Sequence, residues 1–197
     1  MEITSIAVVV AGYLMGSVDF GVILPRLRGI DIYSHGSGNP GASNVMRSMG
    51  RNAAAAVVLG DIGKGLAAAA LGDLVAGEAA GFAAGAAAVV GHCWPLWHRF
   101  RGGKGVATAA GMAVWLEPLL GIGMLVVWGA LVAITKRASV ASLVVVTLFV
   151  PGFAATGHRE WSLVWAGLVA VVVAMRHRQN VKRLLEGSEH TLEADSP

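Results

Sequence analysis

Cysteine is nearly absent from this chain: Cys93 stands alone inside an apolar run. One thiol excludes an internal disulfide and any Cys-rich metal site. Charge is scarce as well, with 14% charged residues against 55% hydrophobic ones and a mean hydropathy of +0.66. A soluble domain of 197 residues could not bury that much apolar surface, so the chain reads as an integral membrane protein. Met1-Glu2-Ile3 lacks a basic region and no small-residue cleavage signal follows. The first hydrophobic segment is therefore expected to be a retained helix rather than a signal peptide. The net charge of only +3 points to no nucleic-acid partner.

Long apolar runs make up most of the rest. Seven segments stand out, at Ile3–Leu24, Ala53–Ala76, Ala79–Leu96, Val106–Leu116, Leu119–Thr135, Ser139–Ala155 and Trp161–Met175. The fourth falls well short of the roughly 20 residues that span a bilayer. The expected fold is all-α and polytopic, with seven transmembrane helices, some short or broken near the site. Segments two and three are rich in Ala and Gly, which suits close backbone packing. Residues 1–187 are read as one membrane domain and 188–197 as a polar tail.

Basic residues set the expected orientation. Arg26, Arg28, Arg47 and Arg51 follow segment one; Arg99, Arg101 and Lys104 follow segment three; Lys136 and Arg137 follow segment five; Arg176, Arg178, Lys182 and Arg183 follow segment seven. With seven spans these lie on one face, opposed only by Arg159, while Lys64 sits inside segment two. The N-terminus is then external, with the C-terminus and the site facing the cytoplasm of a plasma-membrane protein.

The segment His35-Gly36-Ser37-Gly38-Asn39-Pro40-Gly41-Ala42-Ser43-Asn44, followed by Arg47, lies between the first two apolar segments. Glycines at this density let backbone N–H groups turn toward a ligand, and hydroxyls, amides and an arginine suit a phosphate or carboxylate. Gly36 to Gly41 fits G-x-G-x-x-G in form only, because a dinucleotide fold needs a strand before it. A second candidate anion site is Gly102-Gly103-Lys104-Gly105 ahead of Val106. It lacks the Ser/Thr of a P-loop, but amides at a helix start beside an ammonium attract an anion by themselves.

His177 and Asn180 open the tail on the same face, and histidine can titrate near neutral pH. Ser139 is expected to cap the sixth segment, with Ser142, one turn in, pointing into a site. Asp61 and Lys64 are expected to pair within segment two; Asp19 has no sequence-local partner. Arg183 and Glu186 read as structural. His190 to Asp195 matches the H-x4-D acyltransferase pattern by chance, in a polar stretch without an apolar scaffold.

These motifs, in this order, resemble the bacterial membrane acyl-phosphate:glycerol-3-phosphate acyltransferases, the PlsY family. The resemblance runs from Gly16-Ser17 and Phe20-Gly21 through Gly29-Ile30-Asp31 and Gly36 to Arg47. It continues with Asp61, Lys64-Gly65, Gly91-His92, Pro95 and Gly102 to Thr108, and ends with Ser139, Ser142 and Arg176-His177 with Asn180. It implies transfer of an acyl group from acyl-phosphate to the sn-1 hydroxyl of glycerol 3-phosphate, giving lysophosphatidic acid and inorganic phosphate.

By the same resemblance the catalytic residues are Ser37, Arg47, Lys104, His177 and Asn180, and the substrate-binding ones are Gly38, Asn39, Gly41, Ser43, Asn44, Gly102, Gly103 and Ser142. No cofactor or metal is expected. The partners are the two substrates, membrane lipid and an acyl-phosphate-producing enzyme. Asp19 stands where the family usually has proline, Pro40 where it has an aliphatic residue and Ser43 where it has threonine. The competing readings are a transporter of a phosphorylated small molecule and an assembly scaffold without turnover.

Overall fold

Alanine, leucine and the branched aliphatics run almost unbroken between glycine-rich and charged loops, and such runs satisfy their backbone in lipid only as helices. The computed structural model describes residues 3–192, and every regular element among them is helical. In chain order these are α1 (Ile3–Gly16), α2 (Phe20–Arg26), α3 (Ala42–Met49), α4 (Arg51–Ala76), α5 (Glu78–Cys93), α6 (Val106–Leu116), α7 (Pro118–Thr135), α8 (Ala138–Ala155), α9 (Glu160–Arg176) and α10 (Arg178–Leu185). Short 3-10 turns occupy Ile32–Ser34 and Leu96–His98.

Each of the seven apolar segments forms a helix, but not all are equally able to cross a membrane. Five are long and apolar enough, counting α1 and α2 together, and a sixth arises if α9 and α10, bent by 50°, are taken as one. With eleven residues, α6 rises only about 16 Å. It lies between α4, α5 and α7, with Met112 and Ala113 fully buried.

The first segment is broken, contrary to the single run expected over Ile3–Leu24. Asp19 prefers a helix start to a helix interior, and its Oδ1 accepts from the Gly21 N–H at 3.0 Å to cap α2. The Val18 carbonyl, left without a helical donor at this break, accepts instead from Lys64 Nζ at 2.7 Å. Lys64 also pairs with Asp61 at 2.8 Å, as its spacing on α4 predicted. Glycine makes the helix contacts close: a Cβ at Gly16 would overlap the Ala88 carbonyl of α5, and one at Gly65 the Thr108 carbonyl of α6.

The apolar core lies where α5, α6, α8 and α9 meet. Phe153 sits edge-on to Phe82 at 4.9 Å and to Phe149 at 5.2 Å, with Met112, Val89 and Val169 around them. On the outside, Leu119, Ile122, Val126 and Ile134 of α7 are exposed, a surface that suits lipid rather than water. At one end of the bundle His158 approaches Glu78 of α5 at 3.0 Å and Glu117, which starts α7, at 3.4 Å. The glycine loops gather at the other end.

Candidate active site

Loop 27–41, loop 94–105, the α7–α8 connection and the α9–α10 junction converge on one cavity of about 200 Å³. Its walls include Ser37, Asn39, Gly41, Ser43, Asn44, Arg47, Lys104, Ser139, Ser142, His177 and Asn180. The cavity continues between helices along Val106 and Ala110 of α6, Met124 and Leu125 of α7, and Val145 and Phe149 of α8. A basic, polar mouth thus opens onto an apolar channel. Gly38, Gly102 and Gly103, expected at the site, are not among the lining residues.

The first loop is held by Asn44, which is buried at the start of α3. Its Oδ1 accepts from the Ser37 N–H at 3.1 Å, and its Nδ2 donates to the carbonyls of His35 (2.9 Å) and Ile32 (3.3 Å). Gly36 and Gly38 have positive φ, 50° and 66°, which lets the loop fold around that amide. The Asn44 side chain is thereby committed to shaping the loop, while the Ser37 side chain is left at the exposed rim. Arg47, one turn along α3, donates to Asn44 Oδ1 at 3.4 Å and to the Thr191 carbonyl at 3.3 Å.

The second loop is clamped from behind. Arg176, at the end of α9, donates from Nε to the Gly103 carbonyl (3.0 Å) and from Nη2 to the Gly102 carbonyl (2.6 Å). The Gly103 N–H donates to the His92 carbonyl at 3.0 Å, and a Cβ on Gly103 would collide with the His92 ring. Both glycines therefore serve the fold of the loop. Beside this loop lie the N–H groups of the first turn of α6 after Gly105, which caps that helix at φ 86°. Such N–H groups have no partner within the helix, and Val106 and Ala107 face the cavity.

Lys104 projects beside this helix start and donates to Asn180 Oδ1 at 2.6 Å. Burial draws its pKa down to about 8, Glu189 opposes that shift, and Arg183, Arg176 and Arg47 add to it. His177 is buried at the α9–α10 bend, its Nδ1 at 2.8 Å from the Val173 carbonyl. A carbonyl only accepts, so Nδ1 carries a proton and the lone pair of the neutral ring is on Nε2.

Ser142 Oγ donates to the Ala138 carbonyl at 2.7 Å and accepts from Trp128 Nε1 at 3.1 Å. Ser139 is not the cap expected of it: Arg137 holds that position, and Ser139 lies one residue inside α8.

Several wall residues lie outside the site residues named from the sequence. Asp61 and His92 line the cavity beside the Lys64 pair, and His92 Nδ1 stands 2.9 Å from Lys64 Nζ. Arg183, read as structural, also lines it and donates to Glu189 Oε2 at 2.9 Å. The start of the polar tail folds back so that Glu189, His190 and Leu192 face the cavity too. The rest of the His190-to-Asp195 pattern lies outside the described residues. Among the described residues no three His, Cys, Asp or Glu side chains form a metal-holding group.

A family model described as glycerol-3-phosphate acyltransferase matches residues 6–187. The glycerol-3-phosphate acyltransferase of Sinorhizobium fredii is 44% identical over 90% of this chain and 87% of its own. That of Symbiobacterium thermophilum is 43% identical over 97% and 95%, and that of Rubrobacter xylanophilus 41% over 93% of each. A crystal structure of PlsY, described as an integral membrane glycerol 3-phosphate acyltransferase in its glycerol 3-phosphate form, superposes with a TM-score of 0.91 at 32% identity, covering 95% of this chain and 94% of that one. The lysophosphatidic acid form of that enzyme gives a TM-score of 0.88.

Proposed function

The chain belongs to the glycerol-3-phosphate acyltransferase family, and we propose that it transfers a fatty acyl group from acyl-phosphate to the sn-1 hydroxyl of glycerol 3-phosphate. The products are lysophosphatidic acid and inorganic phosphate. The observation that carries the reading is the cavity itself. Its mouth combines Arg47, Lys104, Arg183 and the α6 helix start, and its interior is an apolar channel between helices. That pairing suits two substrates with anionic heads, one of which has a long acyl tail.

Acyl-phosphate is a mixed anhydride with a good leaving group, so the enzyme chiefly has to hold two anions together and stabilise the oxyanion. Arg47 and Lys104 hold the phosphates, Ser37 and Ser43 donate to phosphate or acyl oxygens, and His177 orients the acceptor. The acceptor oxygen bonds to the acyl carbon, the bond from that carbon to the phosphate oxygen breaks, and the hydroxyl proton ends on the departing phosphate. Asn180 holds the Lys104 ammonium, and Ser142 lines the acyl end. The site faces the cytoplasm, where an acyl-phosphate-producing enzyme supplies the donor, and the N-terminus is external.

Purified, detergent-solubilised protein given glycerol 3-phosphate and palmitoyl-phosphate tests the reading directly. It should release phosphate and form lysophosphatidic acid with no membrane gradient, as a transporter would not. Turnover with palmitoyl-CoA alone refutes the donor assignment, and no turnover with either donor leaves a transporter or scaffold.

A further inference from the structure

We propose that Glu189 is a positioning residue of this active site, orienting the Asn180 amide toward Lys104 and holding the Lys104 ammonium by its charge. The proposal rests on the reading of Lys104 as an anion-binding residue. It concerns a residue outside the 6–187 stretch that the family model matches.

The chain reaches the site by a sharp reversal. After α10 ends at Leu185, Gly187 takes a left-handed conformation (φ 70°), and the Ser188 N–H donates to the Arg183 carbonyl at 2.8 Å. Helix ends commonly close in this way, and glycine is the residue that does so without strain. The segment then runs back across the cavity mouth as a strap. It is fastened at its far end, where the Leu192 N–H donates to the Lys136 carbonyl at 2.9 Å and Arg47 reaches the Thr191 carbonyl. Between these anchors Glu189 points inward and is only 8% exposed.

The Glu189 carboxylate accepts from Asn180 Nδ2 at 2.6 Å through Oε1 and from Arg183 Nε at 2.9 Å through Oε2. A primary amide has one accepting end and one donating end. Drawing Nδ2 to the carboxylate turns Oδ1 the other way, toward Lys104, where it accepts from Nζ at 2.6 Å. With Glu189 gone, only the Lys104 ammonium itself would favour that amide orientation over the reverse, which would set an NH₂ group against it.

Charge acts in the same direction. Lys104 is faced by Arg47 from α3, Arg176 from α9, His177 at the bend, and Asn180 and Arg183 from α10. Among the described residues, the acidic ones lining the cavity are Asp61 and Glu189, and Asp61 is paired with Lys64. Glu189 is thus the carboxylate that offsets the crowd of cations around Lys104. Burial alone would raise its own pKa, but the hydrogen bonds from Asn180 and Arg183 hold it below the usual glutamate value, so it stays charged.

The test compares wild type with Glu189→Gln, which keeps size and an accepting oxygen but removes the charge, and Glu189→Asp, which restores the charge. Two readouts are taken: the pH profile of kcat/KM, and the pH dependence of acetic-anhydride labelling of each lysine, mapped by peptide mass spectrometry without substrate. In Glu189→Gln the Lys104 labelling midpoint and the alkaline limb of kcat/KM should both move to lower pH by about one unit. Lys136 and Lys182 should not shift, and Glu189→Asp should recover much of the change. An unmoved Lys104 midpoint in Glu189→Gln overturns the proposal. So does a glycerol 3-phosphate KM that drops below wild type, because the strap is then an internal competitor. Labelling needs no turnover, so an inactive wild type would count against the proposed reaction and leave this assignment separately decided.

Discussion

Asn180 presents its amide oxygen to Lys104 at 2.6 Å, although the two residues are 76 positions apart in the chain. This contact ties the glycine loop ahead of α6 to the bend between α9 and α10, and so joins two motifs that the sequence shows only as separate strings. A buried ammonium held by a neutral amide keeps its full charge for an incoming anion.

The same burial limits the pH range. Lys104, drawn down to about 8, is cationic below that value and loses its proton as pH rises through it. Activity should therefore fall along an alkaline limb near pH 8, roughly two pH units below the level at which an exposed lysine would titrate. Lys104→Ala and Arg47→Ala should each lower kcat/KM roughly 30- to 1000-fold, equivalent to about 2–4 kcal/mol for a lost charge-assisted bond. Arg101 packs over the Tyr33 ring at 4.5 Å outside the cavity, so Arg101→Ala should lose little. Equal losses from all three would reduce the site to general surface charge.

Asn44 yields a loop prediction. Its amide makes three hydrogen bonds within residues 32–44, and each buried group left without a partner costs about 1–3 kcal/mol. Asn44→Ala should lower the melting temperature in detergent and also weaken binding at Arg47, whose Nη2 lies 3.4 Å from Asn44 Oδ1. Asn44→Asp keeps the oxygen and should retain more of the loop than alanine does. Equal melting temperatures for wild type and Asn44→Ala would show that the loop does not depend on this amide.

Asp61 and Lys64 give a stability test inside the bundle. Both side chains are about 5% exposed or less, and removing one member of a buried pair leaves an uncompensated charge costing about 3–5 kcal/mol. Lys64→Met should be severely destabilising, the more so because the Val18 carbonyl loses its donor. The double variant with Asp61→Leu should melt above Lys64→Met alone. A double variant that melts below the single one would mean that Asp61 is stabilised by His92 rather than by Lys64.

Much of the architecture was legible in the sequence, because apolar runs of helical length admit only one backbone solution in lipid. All seven segments became helices, and the Asp61–Lys64 pair followed from their spacing. The break after Gly16 was missed although Asp19 is a cap-forming residue, because a carboxylate inside so apolar a run reads first as a buried charge. Ser139 lies two residues past the cap of α8, a position that Arg137 holds without a side-chain hydrogen bond. Ser37, Arg47, Lys104, His177 and Asn180 were named by motif, and the cavity brings all five together. Glu189 was invisible: it sits in a polar tail, and the strap's anchor to Arg47 spans 144 positions. Only tertiary folding gives such a stretch the scaffold it lacks on its own.

Thirteen basic residues on one proposed face predict the topology. A reporter fused after Pro197 should read cytoplasmic and a tag before Met1 external. Both ends on one side would make the number of crossings even, and α6, at eleven residues, would be the first helix to remove from the count.

Transfer should be direct, within a ternary complex, with no acyl-enzyme. Cys93 is fully buried in the core cluster against Val89 and Val173, so it has neither the access nor the electropositive exposure of a reactive thiol. Ser37 has a hydroxyl at the cavity rim, but a nucleophilic serine needs an adjacent base. The histidine of its own loop, His35, has Nδ1 turned to the Asp31 carbonyl at 2.8 Å. An acyl-phosphate donor is in any case activated enough that a covalent detour through serine would gain little. Kinetics should therefore be sequential rather than ping-pong, and Cys93→Ala should stay active. Radiolabelled acyl-phosphate supplied without glycerol 3-phosphate should leave no label on the denatured protein. A stable stoichiometric adduct at Ser37 would replace this mechanism with a two-step one, in which the serine, rather than the acceptor hydroxyl, first attacks the acyl carbon.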